Sequence, residues 1–339
     1  MLQGGLLMSV LNRIEEKARK NNPKIIFPEA QEVKILQVAE KTVQKGIAQP
    51  ILMGNIEEIE ALANENGISL AGMTLMCLSD EMKADYAKRF AQENPGYSEK
   101  MALRKFREPL FVAACAVHFG EADSFIAGYR YTTGDVILAA STFIGMAEGN
   151  STVSSFNLVT IPGFEGSEGE DVIFSDVAVC VSPTPEKLAE IAILAADAAR
   201  KLLDWEPRVA FLSYSTKGSG ESEKVEAVTQ ALDIFRQKRP DLKADGEFQL
   251  EVALSPSAAA KKLDEIGEVA GRANIVIFPD INAGNTNIKA VKLFSKANSI
   301  GPLLTGFRKP VSDLSRTGSI EHLVSTVAAV AALCGKEGQ

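Results

Sequence analysis

The sequence predicts an α/β fold on a largely parallel sheet with helices on both faces, and three observations carry that prediction. Short β-branched and apolar runs alternate along the chain with longer stretches of helical periodicity. The short runs are continuously apolar, as strands covered on both faces must be. Polar loops rich in glycine, hydroxyls and amides follow several of these runs, as in open parallel sheets, where strand ends carry the ligand loops.

Taken in order, Ile25-Ile26-Phe27 is a strand stopped by Pro28, and residues 33–45 repeat apolar positions at helical spacing. Ile51-Leu52-Met53 is the next strand and 56–66 the next helix. Thr74-Leu75-Met76-Cys77-Leu78 and Phe125-Ile126-Ala127 read as two more buried strands, with a packed helical stretch at 111–119 that places His118 at its edge. A second series opens near Ser151. Residues 153–159 and 172–181 read as strands, the latter alternating around Asp176. Thr184-Pro185 starts a helix running to about Leu203, because a hydroxyl cap precedes a proline in the first turn. Val209-Ala210-Phe211-Leu212-Ser213 is a strand, 224–239 an amphipathic helix, and Ile275-Val276-Ile277-Phe278 a strand ending at Pro279-Asp280. Ser319 caps a last helix over 320–333. No repeat, low-complexity tract or long linker interrupts the chain.

The 339 residues suggest two domains or one large one. At 46% hydrophobic and 24% charged the chain is ordinary for a globular protein, which excludes disorder as its main state. Lys and Arg number 36 against 44 Asp and Glu, a net charge of −8 that argues against general binding to nucleic-acid backbones. A local basic pocket for a small anion stays open. The apolar stretches 136–147 and 324–334 fall short of the roughly 20 residues that span a bilayer. The opening MLQGGLLMSV lacks the basic start and long apolar core of a signal peptide, so a cytoplasmic location is expected. The 4 cysteines, Cys77, Cys115, Cys180 and Cys334, lie far apart and read as reduced thiols. Only 2 histidines are present, His118 and His322, which excludes a multi-histidine metal site, and no metal is expected.

Four loops stand where chemistry is expected: Arg130-Tyr131-Thr132-Thr133-Gly134-Asp135, Ser213-Tyr214-Ser215-Thr216-Lys217-Gly218-Ser219, Asp280-Ile281-Asn282-Ala283-Gly284-Asn285, and Asp313-Leu314-Ser315-Arg316-Thr317-Gly318-Ser319. Their glycines, hydroxyls and amides are the groups that cradle an anion with backbone N–H and short side chains. Arg130, Thr132, Thr133, Ser215, Thr216, Lys217, Gly218, Asn282 and Asn285 are the candidate binding residues. Neither a Walker A loop nor a G-x-G-x-x-G fingerprint is present. Turn and cap chemistry alone would explain any one of these loops, and capping explains much of Ser319. His322 can titrate near neutral pH and lies close to Ser315-Arg316 in sequence.

The same loops carry a resemblance. With Phe27-Pro28-Glu29, Thr152-Val153-Ser154-Ser155, Glu206-Pro207-Arg208-Val209-Ala210, Ser215-Thr216-Lys217-Gly218-Ser219, Asp245-Gly246-Glu247, Phe278-Pro279-Asp280 and Pro310-Val311-Ser312-Asp313-Leu314-Ser315-Arg316, the chain resembles the phosphate acetyltransferases of the phosphate acetyl/butyryltransferase family over nearly its whole length. The resemblance implies two three-layer α/β/α domains with an interdomain cleft, the first formed by 1–150 plus 304–339 and the second by 151–303. It implies a homodimer that moves an acetyl or short acyl group between coenzyme A and inorganic phosphate, with coenzyme A as substrate and no bound cofactor. Ser315 and Arg316 then stabilise developing charge and hold phosphate, as fixed donors and a planar cation can.

The chain departs from the family at three places. The acid on the family's last helix falls on His322, and two family arginines fall on Leu138 and Gln92. His322 is either a replacement base or a bystander, since a neutral imidazole can take a thiol proton. Arg130, Arg89 or Arg104 could supply the missing cation. Two other readings stay open beside the acyltransferase: a catalytically impaired acyl-coenzyme A-binding homologue, and an acyltransferase with a non-phosphate acceptor.

Overall fold

A computed structural model describes residues 9–335; the segment 1–8, on which most of the leader argument rests, lies outside the described residues. The chain forms two compact units, one running to Gly145 and resumed from Phe307, the other spanning Met146–Gly306.

The first unit opens with α1 (Val10–Asn21), β1 (Lys24–Phe27), α2 (Val33–Lys45), β2 (Gln49–Gly54), α3 (Ile56–Glu65) and β3 (Thr74–Cys77). Three helices follow, α4 (Asp80–Glu93), α5 (Glu99–Lys105) and α6 (Pro109–His118), then β4 (Ser124–Ala127) and α7 (Thr133–Ala139), which runs into a π-helical turn, Ala140–Ile144. The second unit holds β5 (Ser154–Thr160), β6 (Asp171–Ser175), α8 (Pro185–Leu203), β7 (Arg208–Leu212), α9 (Glu223–Lys238) and β8 (Lys243–Phe248). It continues through α10 (Leu250–Leu254), α11 (Pro256–Lys262), β9 (Ile275–Ile277), α12 (Ile281–Ser295) and β10 (Asn298–Thr305). The chain then returns to the first unit with β11 (Val311–Asp313) and α13 (Ile320–Leu333).

In the first unit the strands lie in the order β3-β2-β1-β4-β11, every pair parallel. Helices cover both sides of the sheet, the α/β class that the alternating pattern predicts. Fully buried Ile25, Ile26, Phe27 and Phe125 line its centre. The strand at 74–77 is an edge strand and only partly covered, not the buried strand expected from its composition. An edge keeps one side of its backbone free of a neighbour, and fewer contacts cover its side chains. An apolar run of this length does not by itself reveal which strand lies outermost.

In the second unit the order is β10-β5-β6-β9-β7-β8. The β6, β9, β7 and β8 pairings are parallel, while β5 is antiparallel to both β6 and β10. Phe174, Phe248, Val276 and Phe278 anchor a core cluster here. β6 also stops earlier than its composition suggests. The segment expected to continue to 181 leaves the sheet after Ser175, because the Asp176 carboxylate accepts the N–H groups of Ala178 (2.9 Å), Val179 (3.2 Å) and Cys180 (2.7 Å). Amides turned onto one carboxylate cannot also bond a neighbouring strand.

Candidate active site

The carboxyl edge of the first unit's sheet gathers the motif residues. β11 lies beside β4 with Asp313 opposite Ala127, so the turn carrying Ser315 and Arg316 emerges next to the loop that leaves β4. Two buried carboxylates tie that loop down. Glu29, 3% exposed and just past the end of β1, accepts the N–H groups of Gly128 and Tyr129 (both 3.0 Å), Arg130, and Tyr131 (3.1 Å). Asp313 Oδ2 accepts the Thr133 hydroxyl at 2.5 Å, while Oδ1 is buried without a hydrogen-bond partner. Burial pushes the Asp313 carboxyl up to about 6, the Glu29 charge adds to the rise, and the Thr133 hydroxyl and Arg316 oppose it.

The cations on this edge are exposed. Arg316 donates through Nη2 to the carbonyls of Arg130 (3.0 Å) and Tyr131 (3.3 Å). Arg130 has a side chain 66% exposed and stands 3.6 Å from Glu32. Ser315 is half-buried, with its hydroxyl 3.3 Å from that of Thr317. Ser319 caps α13 by accepting the His322 N–H at 3.2 Å. The His322 ring packs over Gly318, where an added Cβ would sit 2.6 Å from Cδ2 and 3.2 Å from the Ser315 carbonyl oxygen. Arg130, Thr133, Ser315, Arg316 and His322 therefore share one neighbourhood of the first unit. Thr132 is turned to capping: its hydroxyl accepts the Asp135 N–H and bonds the Asp135 carboxylate.

The positions that depart from the family are also plain. Leu138 is 45% exposed on α7, and Gln92 is exposed on α4. Arg89 is committed elsewhere, bonding Asp85 at 3.2 Å and Glu121 at 3.4 Å with its guanidinium carbon 3.8 Å from the Phe119 ring centroid. His118 ends α6 among aromatic rings and meets Glu93 at 2.8 Å.

In the second unit, the loop after β7 is built around Glu247, itself 3% exposed. Glu247 Oε1 accepts the Ser215 hydroxyl and the Gly218 N–H, both at 2.8 Å. Ser215 in turn accepts the Gly220 N–H at 2.9 Å, and Thr216 bonds Gln249 through both its hydroxyl and the Gln249 N–H. Lys217 is exposed but engaged, donating to Asp245 (2.7 Å) and the Gly246 carbonyl (2.6 Å). Asn282 is exposed in the first turn of α12, whereas Asn285 donates to the Val177 carbonyl at 2.9 Å.

One expectation thus needs correcting. Glycine- and hydroxyl-rich loops suggest backbone N–H groups aimed at a bound anion, but Glu29 takes the amides of Arg130 and Tyr131 and Glu247 that of Gly218. The exposed cations on the first unit's edge are Arg316 and Arg130. In sequence, Glu29 and Glu247 fall in the segments Phe27-Pro28-Glu29 and Asp245-Gly246-Glu247 that carry the resemblance, but nothing there names the amides each one accepts.

A serine and an arginine on one turn at the carboxyl edge of a parallel sheet suit the transfer of a group to or from an anion, the chemistry of the family to which the chain is matched. The chain belongs to the phosphate acetyl/butaryl transferase family, whose model matches residues 9–332. It is 39% identical over 326 residues to the phosphate acetyltransferase of Thermoanaerobacterium thermosaccharolyticum, covering 96% of this chain and 99% of that one. It is 37% identical over 324 residues to that of Clostridium acetobutylicum, covering 95% and 97%. Among solved structures, a phosphotransacetylase from Streptococcus pyogenes superimposes with a TM-score of 0.86 at 31% identity, covering 97% of this chain and 98% of its own.

Proposed function

We propose that the protein transfers an acetyl or short acyl group reversibly between coenzyme A and inorganic phosphate, both bound as substrates. The observation that carries this reading is the Ser315-Arg316 turn on the carboxyl edge of a parallel sheet, with Arg316 steadied by two backbone carbonyls and Arg130 exposed beside it. Relatives named phosphate acetyltransferases over nearly the full chain support it.

Towards acetyl-coenzyme A, the thiol gives up its proton, its sulfur bonds the acyl carbon, and the carbon–oxygen bond to phosphate breaks as phosphate leaves. Ser315 donates to the carbonyl oxygen as negative charge builds there, and Arg316 grips the departing phosphate. His322 accepts the thiol proton, a task that suits an imidazole. With leucine and glutamine standing where the family has arginines, Arg130 supplies the second positive charge. The loop of Ser215, Thr216, Lys217 and Gly218, with Asn282 and Asn285, serves the coenzyme. The family resemblance supports a homodimer and a cytoplasmic setting.

The test is consumption of the coenzyme A thiol in the presence of acetyl phosphate. Ser315→Ala and His322→Ala should each lower turnover at least about tenfold. Undiminished turnover in Ser315→Ala would remove the mechanism. Coenzyme binding with no turnover in the unaltered protein would remove the activity.

A further inference from the structure

Resting on the acyltransfer reading, we propose that Glu29 is the positioning residue for Arg316, acting through the backbone of residues 128–131 without touching substrate. The N–H and C=O of a peptide point to opposite sides, so a segment whose N–H groups converge on one partner presents carbonyls away from it. Here four successive N–H groups, from Gly128 to Tyr131, converge on the Glu29 carboxylate. The Arg130 carbonyl, which shares its peptide with the Tyr131 N–H, meets one nitrogen of the Arg316 guanidinium at 3.0 Å. The Tyr131 carbonyl, whose peptide N–H belongs to Thr132 and bonds Asp135, meets the same nitrogen at 3.3 Å. The carboxylate, the loop and the cation form one chain of hydrogen bonds in which each bond polarises the next.

The rest of the surroundings fits that role. Glu29 is 3% exposed, so its charge is set against the amides and not against solvent. A carboxylate offers enough lone pairs for four donors, which no neutral side chain does. Asp313 holds the far end of the same loop through Thr133. A guanidinium has five N–H donors, so one nitrogen spent on carbonyls leaves the rest of the fork to address a tetrahedral anion. The loop that could have cradled phosphate with its own amides instead aims a side chain to do so.

Glu29→Gln keeps the volume but sets an NH2 group against amide donors. Acetyl phosphate and coenzyme A are the probes, with steady-state rates measured for the unaltered protein, Glu29→Gln, Arg316→Ala and the double variant. The expected result is a loss of about tenfold or more in kcat/KM for acetyl phosphate in Glu29→Gln, with the KM for coenzyme A within about twofold. In the double variant the loss should match that of Arg316→Ala alone, because Glu29 has nothing left to position. Unchanged acetyl phosphate kinetics in Glu29→Gln, or losses that multiply in the double variant, overturn the proposal. Glu29→Asp, which keeps the charge but withdraws it by one methylene, takes the place of Glu29→Gln if that variant does not fold.

An unaltered protein without turnover would sink the acyltransfer reading alone. Exchange of the Arg316 guanidinium protons, followed by NMR and assigned with Arg316→Lys, then decides the positioning role. Exchange about tenfold faster in Glu29→Gln supports it, and equal rates overturn it.

Discussion

The loop after β4 and the loop after β7 use one device to opposite ends. Each follows a strand of a parallel pair, carries hydroxyls and a glycine in the left-handed region, and folds onto a buried carboxylate, Glu29 in one case and Glu247 in the other. In the first, the carboxylate takes the backbone amides and the cations Arg130 and Arg316 stay exposed. In the second, the cation is also exposed, but it closes an ion pair at 2.7 Å, Lys217 donating to Asp245 and to the Gly246 carbonyl. A cation in a polar loop is therefore no measure of what a ligand will meet. The partner that neutralises it, far away in sequence, decides that.

The largest break in this comparison should come from its glycines. Gly128 has φ +116°, and an added Cβ would sit 1.9 Å from the Asp313 Oδ1 and 2.8 Å from the Leu314 nitrogen, so Gly128→Ala should cost about 3 kcal/mol or more by denaturant unfolding. Next comes the pH response of Asp313. Its pKa is raised on folding, so the protonated form is favoured in the folded state. That contribution is complete below the ordinary carboxylate value and is lost as pH rises through about 6. Between pH 4 and pH 7 the unaltered protein should lose about 2 kcal/mol relative to Asp313→Asn, read as the difference between their unfolding curves. A constant gap between the two curves would mean that Asp313 titrates normally.

Gly218 supplies the milder counterpart to Gly128. It has φ +81° but no atom within 4 Å of an added Cβ, so Gly218→Ala should cost only the backbone penalty, about 1 kcal/mol. A loss as large as that for Gly128→Ala would show that the second loop is the more tightly built of the two. The smallest effect tests the paired lysine of the second loop. Asp245→Asn should release Lys217 and lower the KM for coenzyme A by about twofold, through a half-exposed pair that contributes little to stability. An unchanged KM would mean that Lys217 takes no part in coenzyme binding.

What the sequence disclosed follows from the range of the interactions involved. The helix Ile320–Leu333 is readable to the residue, because Ser319 is its cap and closes the polar loop before it. Thr184-Pro185 and the start of α8 are readable for the same local reason. The antiparallel course of β5 is not, since an apolar run has no direction written in it. Nor is the stop of β6, because Val177-Ala178-Val179 keeps the composition of a strand while Asp176 takes its amides. In the site, Ser315 and Arg316 are legible as a motif, and Glu29 as part of Phe27-Pro28-Glu29, but the role of Glu29 is not, its partners standing 99 to 102 residues further along. The pairing of Lys217 is hidden likewise, since Asp245 lies 28 residues away.

The way the chain leaves the first unit and comes back to it also sets a timetable for synthesis. The stretch Met146–Gly306 is contiguous and can fold as it emerges from the ribosome. The first unit must wait, its sheet lacking β11 beside β4, and α1 lacking the carbonyls of Ala331 and Ala332 to which Asn21 donates. Arg316 reaches the loop that steadies it only in this last stage, so a growing chain cannot work before its own sheet is closed.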